Sequence, residues 1–184
     1  MAHLFSKGIM ASETVRPLLV GALFQANNAN APVIDGGFIT LGDLVKDTTY
    51  AANGDVEYNV YLATAPTAAN AAVAIVDYAG ISEGAIAGNV YKMGNKLFNL
   101  TVPAGTVTRA RIPQVHDKFW LGEDNFANAP TAGQYAELTA NDVVLTPNAS
   151  APADGFGVKV QLEKGLTTGQ KGNGKIYLCE VISL

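Results

Sequence analysis

The sequence predicts an all-β fold: a small sandwich or barrel of short antiparallel strands with an extended N-terminal arm. Short β-prone segments follow one another at intervals of roughly ten residues, a spacing typical of sandwiches and barrels. Turn-forming glycine, proline and asparagine separate these segments. No long stretch has the helical period that a βαβ fold needs between its strands. The chain has 184 residues, enough for one domain whose core needs no disulfide.

We expect two parts, an N-terminal arm and linker over residues 1–31 and a β-rich domain over residues 32–184. Asn27, Asn28 and Pro32 form a polar break between the two parts. Apolar side chains before this break can pack on the chain's own core or contact a partner, and the residues leave both alternatives open. We adopt partner contact as the working hypothesis. The side chains predicted to make it are Leu4, Phe5, Met10, Leu18, Leu19 and Phe24.

The predicted strands are segments with period-two alternation or compact apolar runs, each bounded by turn residues. In chain order they cover residues 33–41, 56–62, 73–78, 89–93, 96–100, 106–112, 117–121, 134–138, 143–145, 157–162 and 175–182.

Glycines define the breaks between several of these strands. Gly36 and Gly37 interrupt the first strand, and Gly94-Asn95 predicts a tight hairpin turn because glycine accepts positive φ. Residues 165–174 are rich in glycine and predict a loop between the last two strands. Residues 63–72 also predict a loop, with an alanine-rich helix over residues 63–74 as an alternative that Pro66 disfavours.

The last strand, residues 175–182, is an almost continuous apolar run. Such a run is typical of a central strand that is buried on both faces. Cys179 lies within it and is expected to act as a small core side chain.

Composition excludes several classes of function. Charged residues make up 15% of the chain and the net charge is −4, so a basic face that binds nucleic acid is not expected. No apolar run approaches the roughly 18 residues of a membrane span. One cysteine and two histidines, His3 and His116, are too few for a disulfide framework or a cysteine or histidine metal site. We therefore expect no cofactor, no nucleic acid and no membrane.

Three short segments carry residues of catalytic or metal-binding types, and each has a simpler explanation. Gly169 and Gly174-Lys175 have the spacing of a phosphate loop, but Ile176 stands where that loop needs Ser or Thr. His116 and Asp117 are adjacent, so in a strand they point to opposite faces. Glu123, Asp124 and Asn125 could supply oxygen ligands to calcium, but they lack the spacing of a calcium loop. The protein is therefore predicted not to be an enzyme.

Trp120 is the only tryptophan of the chain. In a strand it takes the face opposite to Phe119 and Leu121. One of these faces must be the core, so Trp120 lies either in a second layer or on a partner surface. Tryptophan is frequent at the centres of interfaces, which makes Trp120 a candidate interface residue.

Three segments and the composition of the chain carry a resemblance. The segments are residues 1–24, which open with Met1-Ala2-His3-Leu4-Phe5, then residues 90–97 and residues 115–122. The composition of the whole chain is rich in Ala, Thr, Asn and Gly and poor in cysteine. Together these features resemble the auxiliary head proteins of tailed bacteriophages, also called capsid decoration or cement proteins.

The resemblance implies a non-enzymatic virion structural protein, made in the host cytoplasm, that binds the outer surface of a capsid and stabilises it. Its partners would be the major capsid protein and copies of itself. Residues 17–34 and 63–76 contain no charged side chain. We expect a partner to cover these two stretches.

Other functions stay open. One is a different virion part, such as a tail-tube subunit or the base of a head fibre. Another is a carbohydrate-binding β-sandwich that uses Trp120, Tyr91 and Tyr135. A small hydrolase is the last, although no nucleophile or acid pair can be named for it.

Overall fold

The computed structural model describes residues 5–7, 10, 18–45, 60–68, 72–78, 100–168 and 172–184. These residues form fourteen strands and include a 3₁₀ turn at Glu123–Asn125, and the part of the chain described contains no α-helix. The strands are β1 Phe5–Lys7, β2 Leu19–Ala26, β3 Ala29–Asn30, β4 Val33–Ile34, β5 Phe38–Leu44, β6 Val60–Thr64, β7 Ala74–Asp77, β8 Thr101–Val102, β9 Thr108–Arg111, β10 Lys118–Gly122, β11 Tyr135–Leu138, β12 Leu145–Asn148, β13 Gly157–Thr168 and β14 Gly172–Ser183. The prediction of an all-β fold is confirmed.

The strands build two main layers. An antiparallel sheet of six strands has the order β1-β10-β14-β13-β11-β12. Strands β2, β6, β5, β7 and β9 pair in that order, and β9 pairs back with β2, which closes them into a small barrel. The pairing of β2 with β6 is parallel, whereas the other four pairings of the barrel are antiparallel.

Two hydrophobic cores result, one inside the barrel and one between the barrel and the six-stranded sheet. Strand β5 serves both cores, because successive side chains of a strand point to opposite sides. Phe38 packs between the layers, where its ring centroid lies 5.2 Å from that of Phe156, and Ile39 fills the barrel. Strand β7 does the same, with Ile75 in the core between the layers and Val76 in the core of the barrel.

The predicted central position of the last strand is confirmed, since β14 lies between β10 and β13. Its predicted burial on both faces is wrong. Tyr177, Cys179 and Val181 point into the core, whereas Ile176 and Leu178 on the other face are only half-buried. The six-stranded sheet therefore has one buried face and one face turned outwards.

The described part of residues 1–31 lies on the domain's own layers and does not extend from them. Strand β2 is a barrel strand with neighbours on both sides, and β1 pairs with β10 at the edge of the six-stranded sheet. The expectation of an extended arm is therefore corrected for these residues. The physical reason is that their apolar side chains complete both cores, to which Phe5 and Phe24 belong.

The Gly-rich loop predicted over residues 165–174 is mostly strand. The register of β13 and β14 continues to the pair Thr168 and Gly172, so only residues 169–171 remain between the strands. The alternative of a helix over residues 63–74 is wrong for its described residues, which lie in β6, in β7 and in a bend and irregular chain between them. The predicted hairpin over residues 89–100 falls almost wholly outside the described residues.

The two stretches without charge also have a different explanation from the one expected. Their described residues include β2, most of β7 and the end of β6, which line the barrel with Val20, Ala22, Ala63, Ala74 and Val76. These parts of the two stretches lack charge because they build a core. Residues 27–30 of the first stretch are exposed, and for them the expectation of a covering partner stays a prediction.

Candidate docking face

An apolar row crosses three neighbouring strands on the outward face of the six-stranded sheet. In register, Trp120 of β10 lies opposite Leu178 of β14, and Leu178 lies opposite Leu162 of β13. Trp120 and Leu178 are half-buried, and Leu162 is 55% exposed. With Ile176, which is also half-buried, these three side chains form what we call the docking face.

A β-bulge places Leu162 in this row. The register of β13 against β14 shifts between Val160 and Leu162, so the strand gains one residue on this side. Val160 remains fully buried, and without the shift Leu162 would be the next inward residue. The bulge therefore turns a leucine from the core to the surface.

Charged side chains border the apolar row. Glu180 lies in register between Lys118 and Lys159. Its carboxylate accepts a hydrogen bond of 2.8 Å from Nε2 of Gln161 and lies 3.8 Å from Nζ of Lys118. Nδ1 of His116 lies 3.3 Å from the same carboxylate, and this contact is the main reason why the pKa of Glu180 is lowered. The docking face thus has an apolar centre and a charged border.

The β13–β14 hairpin ends in another ion pair. Nζ of Lys175 lies 2.5 Å from Oε1 of Glu163, and this hydrogen bond raises the pKa of Lys175. Both side chains are partly exposed, so the pair adds little to stability. It bridges the two strands of the hairpin on the face that carries Tyr177, opposite to the docking face.

Asp35 is a buried carboxyl group whose pKa is clearly raised. It follows β4 in the turn before β5 and is only 3% exposed. Its Oδ2 accepts the N–H of Phe5 at 3.1 Å, and its Oδ1 accepts the N–H of Tyr78 at 2.9 Å. Burial raises the pKa of Asp35 to about 6, because the loss of water outweighs these hydrogen bonds.

Of the six side chains predicted to contact a partner, three lie in the protein's own cores. Phe5, Met10 and Phe24 are 8%, 3% and 8% exposed, and Phe5 packs against Phe119 with ring centroids 5.7 Å apart. The prediction that these three side chains contact a partner is corrected, since they are buried in the protein's own cores. Leu18 and Leu19 are half-buried in and beside β2. Leu4 falls outside the described residues.

Trp120 differs from those three because it stays on the outward face. Tyr135, two strands away from β14, lies with its ring centroid 5.9 Å from Nζ of Lys159. Tyr91 is outside the described residues. Leu162, Ile176 and Leu178 were missed in the sequence, because the almost continuous apolar run over residues 175–182 does not show which of its faces is turned outwards.

The residues of catalytic and metal-binding types have structural roles. His116 turns to Glu180, whereas Oδ2 of Asp117 accepts the backbone N–H of Gln114 at 2.9 Å, so the two do not form an acid–base pair. The side-chain amide of Asn125 donates to the backbone carbonyl of Asp35 at 2.7 Å. Within the described ranges, no three His, Cys, Asp or Glu side chains lie close enough together to hold a metal ion.

A shallow apolar cavity of about 230 Å³ lies where the barrel meets the six-stranded sheet. Its lining residues are Ala72, Val73, Ile112, Pro113, Gln114, Phe156 and Leu184. The only polar side chain among them is Gln114, whose Nε2 donates to the carbonyl of Pro113 at 2.8 Å. Because the lining has no acid, base or nucleophile, this cavity offers no catalytic chemistry.

Comparisons with protein-family models, with curated proteins and with solved structures found no match. Among the described residues, no helix has the length and apolar character needed to cross a membrane.

Proposed function

We propose that this protein is a non-enzymatic structural component of a tailed-phage virion that binds the outer surface of the capsid and stabilises it. The observation that carries the proposal is the apolar row of Trp120, Leu178 and Leu162 on an outward sheet face. Its proposed partners are the major capsid protein and further copies of this chain. The capsid as the partner comes from the resemblance of the sequence, whereas the docking face comes from the geometry.

The docking face has the organisation of a protein interface. Interfaces have an apolar centre that excludes water and a polar border, and tryptophan is common at the residues that dominate binding. Here Trp120 and Leu178 lie at the centre, and the Lys118–Glu180–Lys159 row lies along one side. Because Glu180 already contacts Gln161, His116 and Lys118, docking would not leave its carboxylate without partners.

Repetition would strengthen a contact of this size. A capsid presents many identical sites, so weak contacts act together when neighbouring copies also touch one another. The two-core fold supports such a role, since the sheet that carries the docking face packs its other face on a hydrophobic core.

The test is binding to capsids of the phage that encodes the chain, prepared without this protein. The purified chain is mixed with the capsids, and the bound fraction is measured after sedimentation. Leu162→Lys places a charge on the exposed end of the row, and we expect it to weaken binding roughly 10-fold or more. Trp120→Ala should act in the same direction.

Leu44→Lys is the matched control, because Leu44 is a leucine of similar exposure, at 43%, on barrel strand β5. It should bind like the natural chain. Equal binding by Leu162→Lys and the natural chain would remove the docking face from the proposal. If the chain forms rings or tubes by itself in electron micrographs, the tail-tube alternative becomes the better explanation.

A further inference from the structure

The β13–β14 hairpin reaches beyond the rest of the six-stranded sheet. Among the described strands, β11 pairs with β13 at residues 157–159, and Val160 adds backbone bonds to Gln134 and Gly133 on the same side. Over residues 163–168, β14 is the one described strand beside β13. We propose that this part of β13, which we call the outer edge, pairs antiparallel with the outer edge of a second copy of the chain.

The backbone groups of β14 show which way those of the outer edge point. At Val181 the N–H donates to the carbonyl of Asp117 and the C=O accepts the N–H of His116, both at 2.9 Å. Val181 therefore directs its backbone groups towards the β10 side. Every second residue of a strand does the same, so the even-numbered residues of β14 over 172–178 bond with β13.

The register carries this alternation across to the outer edge. Even-numbered residues of the two strands lie opposite each other here, as in the pair Lys164 and Ile176. The odd-numbered residues of the outer edge, Glu163, Gly165 and Thr167, therefore direct their N–H and C=O groups away from β14. Within the described part of the chain, no backbone group bonds to them. A strand edge with unpaired groups is a template for another strand.

The charges along the outer edge select one register between two copies. A two-fold axis at Gly165 places Glu163 of one copy opposite Thr167 of the other, and Lys164 opposite Leu166. Each residue with outward backbone groups then donates and accepts one hydrogen bond across the axis. An axis at Glu163 or Lys164 would instead oppose like charges, which is destabilising. A Cβ at Gly165 would meet nothing within 4 Å, so the chain itself leaves the axis open.

The hairpin gains a neighbour that it lacks in the single chain. A two-stranded ribbon is marginally stable in water, and Gly165, Gly172 and Gly174 weaken this one further. Pairing of two copies converts the two ribbons into four adjacent strands. The contact of Lys175 with Glu163 keeps the one carboxylate of the outer edge paired, so its charge does not oppose the approach of the second copy.

The dimer would present two docking faces on one side. A two-fold axis perpendicular to a continuous sheet leaves the outward faces of both copies pointing the same way. Both copies of Trp120 and Leu162 could then contact one surface, and two linked weak contacts bind more tightly than one. This consequence rests on the proposed function, whereas the dimer itself does not.

Sedimentation equilibrium of the purified full chain tests the dimer. We expect a reversible monomer–dimer equilibrium at protein concentrations of roughly 0.1 mM, as is usual for a small interface. Gly165→Pro removes the outward N–H at the axis and keeps the bonds of β13 to β14, so it should weaken dimerisation roughly 10-fold or more. Gly165→Ala is the matched control, because it keeps this N–H, and it should dimerise like the natural chain.

Two substitutions at Thr167 test the register and decide the matter even if Gly165→Pro does not fold. In the proposed dimer, this position lies opposite Glu163 of the other copy. Thr167→Glu should therefore raise the dimer Kd roughly 3-fold or more, and Thr167→Lys should lower it by a similar factor. The same Kd for both variants would overturn the proposed pairing.

The dimer and the proposed function can fail independently. A chain that stays monomeric up to roughly 1 mM overturns the dimer, whether or not it binds capsids. If Trp120→Ala abolishes dimerisation and Gly165→Pro does not, the docking face joins the copies and the outer edge does not.

Discussion

The side-chain amide of Asn125 donates a hydrogen bond of 2.7 Å to the backbone carbonyl of Asp35, a residue ninety positions earlier in the chain. The carbonyl oxygen of the same side chain accepts the N–H of Gly122 at 3.1 Å. Asn125 is fully buried, so both bonds lie out of water. One asparagine thus joins the end of β10 to the turn that positions Asp35.

Asn125→Ala should destabilise the protein, because it leaves two buried backbone groups without these partners. We expect a loss of about 2–3 kcal/mol in the free energy of unfolding, measured with urea. Asn148→Ala is the control, since Asn148 is half-buried and donates to Glu137 at 3.2 Å on the outward face. The control should lose less than about 1 kcal/mol. Similar losses for the two variants would show that burial of Asn125 is not the cause.

The free energy of unfolding should increase as the pH falls from 7 to 4. The pKa of Asp35 is about 6 in the folded protein and returns towards 3.8 on unfolding, so folding takes up a proton in this range. The full difference corresponds to about 3 kcal/mol, which is reached only below pH 3.8, so we expect about 2 kcal/mol of added stability at pH 4, measured by urea unfolding at several pH values. Glu180 acts in the opposite sense from about pH 4.5 downwards, because its pKa is lowered from 4.5 and its contribution is lost as the pH falls. Asp35→Asn should flatten the profile above pH 4, and a profile that is unchanged in this variant would contradict the assignment.

The two arginines that contact Asp77 should differ in importance. Nε of Arg111 lies 2.6 Å from Oδ2 of Asp77, and the Arg111 side chain is 5% exposed. Nη2 of Arg109 lies 3.5 Å from the same oxygen, and its side chain is 50% exposed. Arg111→Met should cost about 3 kcal/mol or more because it leaves Asp77 without its buried partner. Arg109→Met should cost less than about 1 kcal/mol.

Thermal unfolding of both variants measures this difference. Equal shifts in Tm would mean that the exposed contact contributes as much as the buried one, against the expectation.

Two glycines of β13 should respond in opposite ways to alanine. A Cβ at Gly157 would lie 2.9 Å from Oγ of Ser183 and closer still to the ring of Pro152. We expect Gly157→Ala to destabilise by about 2 kcal/mol or more, because backbone or the proline ring must move. A Cβ at Gly165 meets nothing within 4 Å, so Gly165→Ala should be neutral or slightly stabilising. Urea unfolding compares them, and a tolerated Gly157→Ala would show that Pro152 yields easily.

Local patterns were enough to predict most of the described strands. The turn at Gly36, where φ is +72°, separates β4 from β5 as expected, and Gly105, with φ +77°, ends the turn that follows β8. Turns of this kind are readable because glycine adopts positive φ without strain. Strand ends were less predictable, and the extension of β13 over residues 165–168 and of β14 over residues 172–174 shows why. There the pairing of two strands with each other outweighs the weak β preference of glycine.

The docking face could be predicted from the sequence only in part. Trp120 could be assigned to a face opposite Phe119, but its neighbours in the row come from β14 and from a bulge in β13. A bulge shifts the face of every later residue, and no local pattern announced this one. The burial of Asp35 was also not predicted, because an aspartate before a glycine turn is ordinarily exposed.

Alternation, turn residues and low charge thus established a β-rich protein from the sequence alone, because these signals act within a few residues of one another. The partners of each strand required the folded chain. Pairing of β9 with β2 closes the barrel, and pairing of β1 with β10 brings Phe5 to Asp35 and Phe119. Contacts of this kind join residues far apart in the chain, so they depend on which edges and apolar surfaces fit together in space. For the same reason, the apolar residues near the N-terminus, equally compatible with a partner or with a core, are found in the core.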